Sequence, residues 1–222
     1  MRILVVNVNT TESMTDAIAA SARAVASPGT EIVGLTPTFG ADSCEGNVES
    51  YLAAIGVLDR VLKYPEPFDA VIQAGFGEHG REGLQEALDV PVVDITEAAA
   101  IMAGLLGHKC GVVTTRDRTV PLIEDRLLLA GLDRRCAAVV ASGLSVLELE
   151  QDHERTVAAI VAKAKEIVAN HGVEVICLGC GGMAGLDEAV AAATGAPVVD
   201  GVASAVTLAE SLVRMKLSTS KV

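Results

Sequence analysis

Aromatic side chains are nearly missing from this chain: it has no Trp, two Tyr and three Phe in 222 residues. Without an aromatic platform, binding of single-stranded nucleic acid by base stacking is not expected. Positive charge is scarce as well. Seventeen Lys and Arg face 29 Asp and Glu, and the formal charge of −12 argues against DNA, RNA or an anionic membrane surface as a partner. No apolar run approaches the roughly 20 residues that cross a bilayer. The opening Met1–Val6 gives way to Asn7 and Asn9 too soon to be a secretory signal. Cysteine is present but odd in number. Cys44, Cys110, Cys136, Cys177 and Cys180 lack framework spacing, so reduced thiols in a cytoplasmic protein are expected. The four histidines, His79, His108, His153 and His171, are scattered without ligand spacing, and no metal site is expected.

Half of the residues are hydrophobic, mostly Val and Ala, which suits thin strands covered by alanine-rich helices. Apolar runs of strand length fall at 3–6, 31–35, 70–73, 90–93, 109–113, 137–140, 173–178 and 197–199. Helical patterns lie between most of them, at 12–25, 48–62, 95–106, 118–130, 146–170 and 201–215. Strands that alternate with helices, and are apolar throughout, predict parallel βαβ units buried on both faces. Residues 218–222 read as a frayed tail.

The two halves are copies. Val71-Ile72-Gln73-Ala74-Gly75-Phe76-Gly77 matches Ile176-Cys177-Leu178-Gly179-Cys180-Gly181-Gly182, and each half continues through a short helical stretch to the same tetrapeptide, Pro91-Val92-Val93-Asp94 and Pro197-Val198-Val199-Asp200. A displacement of about 105 residues places Gly75 opposite Cys180. The expected fold is α/β, with two doubly wound parallel-sheet lobes related by pseudo-twofold symmetry. Residues 1–94 with 201–222 form the first lobe and 95–200 the second. In such sheets ligands bind beyond the carboxyl ends of the strands. The polar and glycine-rich clusters at 7–11, 75–79, 114–115 and 180–182 all fall there, outlining a cleft between the lobes.

Cys180 is the strongest candidate for chemistry. At a strand-to-helix junction its sulfur would lie near helix-terminal N–H groups, which favour the thiolate and lower the pKa, and Gly181 and Gly182 would let backbone amides approach a ligand. The other four cysteines read as packing residues. Cys177 and Cys180 also form a Cys-x-x-Cys, but Cys177 falls inside the strand run, which weakens a redox or metal reading. Thr114 and Thr115 are candidates for holding a carboxylate or enolate oxygen, or else they cap the following helix. Asn9, Thr10 and Thr11 carry the same pair of readings, with Thr10 or Thr11 as N-cap. The Gly75-Phe76-Gly77 turn lacks the pattern of a nucleotide loop.

The residues that carry these clusters resemble the aspartate/glutamate/hydantoin racemase superfamily, and within it the hydantoin and allantoin racemase branch. The resemblance runs through Arg2–Thr11, the Phe76-Gly77-x-x-Gly80 loop, Glu97-Ala98-Ala99, Val112–Thr115 and Leu178–Met183. It implies a cofactor-independent site between two lobes, without metal, nicotinamide or pyridoxal phosphate. Two cysteines there face opposite sides of a stereocentre, one removing the α-proton as thiolate and the other returning a proton. The second matches Cys180; the first matches Gly75, which has no thiol. Glu78 or His79 then becomes the candidate for the opposite base, His79 being alternatively a solvent-facing loop residue. On this basis Asn9 and Thr10 should hold the polar edge of a small-molecule substrate. Thr114, Thr115 and the amides of Gly75, Phe76 and Gly77 should hold its oxygens.

The implied activity is racemisation at the acidic carbon of a small cyclic ureide or amino-acid derivative, by a homo-oligomer. Three alternatives stand beside it. A single-cysteine decarboxylase resembling arylmalonate decarboxylases would need only Cys180 as proton donor. A covalent cis–trans isomerase would use Cys180 as nucleophile. A binding protein would keep the cleft without turnover.

Overall fold

The computed structural model describes residues 1–221. The first sheet holds β1 (Arg2–Val6), β2 (Glu31–Leu35), β3 (Ala70–Gln73) and β4 (Val92–Asp94), in the order β2-β1-β3-β4 with every pairing parallel. The second holds β5 (Cys110–Thr114), β6 (Cys136–Ala141), β7 (Val175–Leu178) and β8 (Val198–Asp200), in the order β6-β5-β7-β8, again all parallel. The second half repeats the strand order of the first, so the fold is α/β with two lobes, as the repeat predicts. The helices are α1 (Glu12–Val25), α2 (Asn47–Leu62), α3 (Arg81–Ala87), α4 (Ile95–Leu106), α5 (Val120–Leu129), α6 (His153–His171), α7 (Asp187–Thr194) and α8 (Gly201–Arg214).

The repeated Pro-Val-Val-Asp has one physical meaning in both halves. Proline, lacking an N–H, precedes an edge strand. The aspartate caps the helix that follows: Asp94 Oδ1 accepts from the amides of Thr96 and Glu97, and Asp200 Oδ1 from those of Val202 and Ala203. Both capped helices cross over. α4 leaves the first sheet to pack on β5, β7 and β8, while α8 leaves the second to pack on β3, β4 and α1. Their alanine-rich faces, with Ala98, Ala99, Ala103, Ala205 and Ala209 buried, meet between the sheets and join both lobes into one apolar core. Gly201 is required at the crossing, because a Cβ there would stand 2.7 Å from the Ile95 carbonyl oxygen.

Three expectations change. The helix read over 146–170 begins only at His153, where the Asp152 carboxylate accepts from the Arg155 amide at 3.0 Å; a 3-10 turn, Leu147–Glu150, precedes it. Thr11 occupies the N-cap position of α1 but makes no side-chain cap; its hydroxyl donates to the Asp42 carbonyl at 2.7 Å. The tail is not frayed through Lys221. The Thr219 amide donates to the Asp89 carbonyl, and the Lys221 ammonium donates to the Gln85, Glu86 and Leu88 carbonyls at the end of α3. Val222 lies outside the described residues.

Across the lobes runs an ion cluster centred on Arg126 of α5, whose side chain is 1% exposed. Its guanidinium donates to Asp94 at 3.1 Å, Glu78 at 2.9 Å and Glu82 at 2.5 Å, and also to Glu97. One second-lobe cation thus ties the end of β4, the start of α4, the β3–α3 loop and α3. Replacing Arg126 by Met should cost about 3–5 kcal/mol at pH 7, since it strands buried carboxylates. Burial holds Glu78 and Glu97 above the usual carboxylate range, so these groups take protons first as pH falls. Urea titrations of wild type and variant should therefore draw closer as pH falls but not meet at pH 4, because Arg126 holds Glu82 down to about 2, so that its pairing persists there.

Candidate functional site

The carboxyl ends of β1, β3 and β7 face one another where the lobes meet, and a cavity of about 30 Å³ lies there, room for about one water. Cys180 comes to it directly from β7. It stands in extended conformation at the N-cap of a 3-10 turn, Gly181–Met183, with Gly181 and Gly182 beside it in the lining. Burial pushes the Cys180 thiol up to about 11, against a backbone bond from Gly182 that favours ionisation. The lowered thiol expected from the strand-to-helix junction is thereby corrected. The junction is a single 3-10 turn, and one amide does not outweigh the loss of solvent.

On the first-lobe side, Gly75 leaves no room for a thiol. A Cβ there would stand 2.5 Å from Val8 Cγ1 and 2.6 Å from His79 Cδ2. The imidazole of His79 occupies the adjacent space, 2% exposed, rather than pointing to solvent. Burial lowers its pKa to about 4, with a bond to the Phe76 backbone opposing and Arg126 assisting, so the ring is neutral at pH 7. The phenyl ring of Phe76 is buried beside the cavity. Glu78, the other proposed base, does not line the cavity. Its carboxylate accepts from Arg126 at 2.9 Å and from the Gly80 amide at 2.8 Å.

The expected oxygen contacts divide in the same way. Asn9 lines the cavity, with Oδ1 accepting from Asn7 Nδ2 at 2.8 Å and from the Thr11 amide at 3.0 Å. Its Nδ2 has a weak partner, Met14 Sδ at 3.5 Å, which a stronger acceptor would displace. Thr115 lines the cavity and shares a hydroxyl bond with Thr119 at 3.2 Å. Thr10 and Thr114 do not line it. The Thr10 hydroxyl donates to the Ala41 carbonyl at 3.2 Å, and that of Thr114 to the Gly179 carbonyl at 3.0 Å, tying β5 to the end of β7. Gly77 is withdrawn too, because its amide donates to Thr96 Oγ1 at 2.9 Å.

Sequence reasoning placed Asn7 at the cleft without giving it a role, and missed Thr119, Val146 and above all Cys44; all four line the cavity. Cys44 is not simply a packing residue: its Sγ lies 3.6 Å from His79 Nδ1 and 3.6 Å from Ser50 Oγ. The available signal was its place in the loop after β2, at the same carboxyl edge as the other clusters. Cys177, by contrast, is buried in β7 with its thiol toward the Ala99 carbonyl, so the Cys-x-x-Cys does not act as a unit. A larger groove of about 1060 Å³ between α3, α4, α8 and the tail has neither thiol nor imidazole in its lining. Among the described residues, no group of three or more His, Cys, Asp or Glu is arranged to hold a metal ion, and no helix is long and apolar enough to cross a membrane.

The neutral His79 ring sets a pH dependence of stability. An unfolded chain protonates this ring near pH 6.5 and the folded chain only near 4. Stability is therefore full above about 6.5 and is lost as pH falls through that window, by about 3 kcal/mol in total. Urea midpoints should drop between pH 7 and pH 4, and a His79→Leu variant should drop less over the same range.

Comparison with known proteins agrees with this geometry. Residues 3–209 match the Asp/Glu/hydantoin racemase family. Hydantoin racemase of Pseudomonas sp. (strain NS671) is 34% identical over the whole chain and 89% of its own length. The crystal structure of allantoin racemase from Pseudomonas fluorescens superposes with a TM-score of 0.99 at 71% identity, covering all of this chain and 94% of that one. Allantoin racemase from Klebsiella pneumoniae gives 0.95 at 38% identity, over all of this chain and 91% of that one. With a duplicated parallel α/β fold, a thiol just past the carboxyl end of β7 and relatives matched along its full length, the chain belongs to the Asp/Glu/hydantoin racemase family and is a racemase-type isomerase.

Proposed function

We propose that the chain racemises a small cyclic ureide, allantoin or a 5-substituted hydantoin, by proton transfer at the ring carbon with Cys180 as acid/base. The observation that carries this reading is Cys180 itself, a half-buried thiol lining a cavity between the lobes of a chain whose relatives are named as racemases of such compounds. The hydrogen on a carbon flanked by a ring carbonyl is acidic because the carbanion delocalises onto oxygen as an enolate. Base, acid and oxyanion donor then suffice, without a cofactor. The Asn9 amide is the best placed donor to that oxygen, and Asn7 keeps it oriented. A thiol near 11 is a strong base once ionised, but at pH 7 only about one in ten thousand is thiolate.

Known ligand sites usually measure about 300–1,000 Å³, so a cavity of about 30 Å³ must widen to admit a ring, by parting of the lobes. Homo-oligomeric assembly is supported by apolar residues exposed along α2, among them Val48, Tyr51 and Ile55. A cytoplasmic setting is supported by five free cysteines. A second reading, decarboxylation with Cys180 as sole proton donor, draws support from Gly75, which leaves the matched thiol pair half empty.

Proton NMR in deuterium oxide with each enantiomer of allantoin and of 5-methylhydantoin should show ring C–H exchange together with loss of optical rotation. Cys180→Ala should lower the loss of optical rotation by about a thousandfold with unchanged circular dichroism. Retained activity in that variant, or carbon dioxide release from an arylmalonate without exchange of the ureides, would reject the assignment.

A further inference from the structure

We propose that Cys44 is the first-lobe acid/base of this reaction, with His79 as its proton acceptor, in the place where Gly75 offers no thiol. The inference rests on the racemase reading above.

Racemisation requires proton transfer on both faces of one carbon, and the residue opposite Cys180 in the repeat has no side chain to do it. Cys44 and Cys180 line the same cavity and come from different lobes, one from the loop after β2 and the other from the end of β7. Gly75 makes the arrangement possible. Its missing Cβ vacates the space that His79 Cδ2 fills, 2.6 Å from where that atom would stand, and the ring so placed puts Nδ1 3.6 Å from Cys44 Sγ. The ring also bonds the Phe76 backbone, with Nε2 on the Gly77 side. A neutral imidazole that donates to a carbonyl through Nε2 has its lone pair at Nδ1, free to accept from the thiol.

The loop is held in place as well. Glu45, next to Cys44, accepts from the Val146 amide of the second lobe at 2.6 Å and pairs with Arg118 at 3.3 Å. The two thiols also sense one another, since charge on Cys44 raises the cost of ionising Cys180. A site that carries one thiolate and one thiol at a time suits a two-face mechanism.

The proton count closes. His79 Nδ1 takes the Cys44 proton, leaving thiolate and imidazolium. The thiolate takes the ring-carbon proton and the C–H electron pair moves to the carbonyl oxygen as enolate. The enolate carbon then takes the Cys180 proton on its other face, leaving Cys180 as thiolate. Counted from the resting groups, Cys180 has lost a proton and His79 has gained one, Cys44 is again a thiol, and the carbon is inverted; the other enantiomer starts from this Cys180-thiolate, His79-imidazolium state and runs the same steps backward.

The test uses resolved allantoin and 5-methylhydantoin in deuterium oxide with Cys44→Ser and Cys44→Ala, both checked for fold by circular dichroism. Racemisation should fall about a hundredfold or more in each. Exchange without inversion should persist for the single enantiomer whose proton faces Cys180. Racemisation at the wild-type rate in either variant overturns the role of Cys44 while leaving the racemase reading intact. If wild type racemises none of these compounds, that reading fails, and the Cys44–His79 pair is judged without substrate. In a Cys180→Ala background, alkylation of Cys44 by iodoacetamide, followed by peptide mass spectrometry, should slow about tenfold on His79→Leu. An equal or faster rate would overturn the pairing.

Discussion

A single buried guanidinium organises the seam between the lobes. Arg126 extends from α5 into a ring of carboxylates set at junctions of the chain: Asp94 caps α4, Glu97 lies in the first turn of α4, Glu82 in the first turn of α3, and Glu78 in the loop that carries His79. Burying such a charge costs several kcal/mol of solvation, which its partners must offset. The consequence is therefore more geometric than energetic. Planar donors at fixed angles set the position of the β3–α3 loop relative to α5, and through that loop the depth of the His79 ring.

The lining of the site carries no Asp, Glu, Lys or Arg. Burial raises the thiols of Cys44 and Cys180 to about 11 and lowers the imidazole of His79 to about 4. Every shift favours the neutral form, as expected where desolvation dominates. For removal of a weakly acidic carbon-bound proton this is a workable compromise. In the proposed reaction the basicity of the rare thiolate increases as its population falls, and an enolate formed in a low-dielectric cavity would gain more from an oriented donor such as Asn9 than it would in water. The helix-terminal stabilisation expected for Cys180 fails because the turn after it is only three residues long.

Much of this was legible in the sequence. The repeat, the apolar runs and the strand–helix alternation predict two parallel sheets, because a strand buried on both faces must be apolar throughout and a parallel neighbour needs a crossover helix. Cys180 and Asn9 could be located because ligands of such sheets gather at the carboxyl ends of strands. Thr10, Thr114 and Gly77 were chosen by the same rule and are spent on structure: each donates a bond to a neighbouring loop, strand end or helix residue. Sequence position places a residue at the rim, but the direction of its hydroxyl or amide depends on partners 19 to 65 residues away.

The pattern of short-range periods and the internal copy, both local in the chain, determined the fold class, the duplication and the position of one candidate thiol. Only the tertiary structure decided what faces that thiol. Whether the space beside Gly75 holds solvent, a displaced loop or the His79 ring, and whether Cys44, 35 residues away from His79, meets that ring, depends on how two distant loops pack under Arg126. Close packing between distant segments is fixed by steric fit and buried charge, neither of which leaves a period or a motif in the chain.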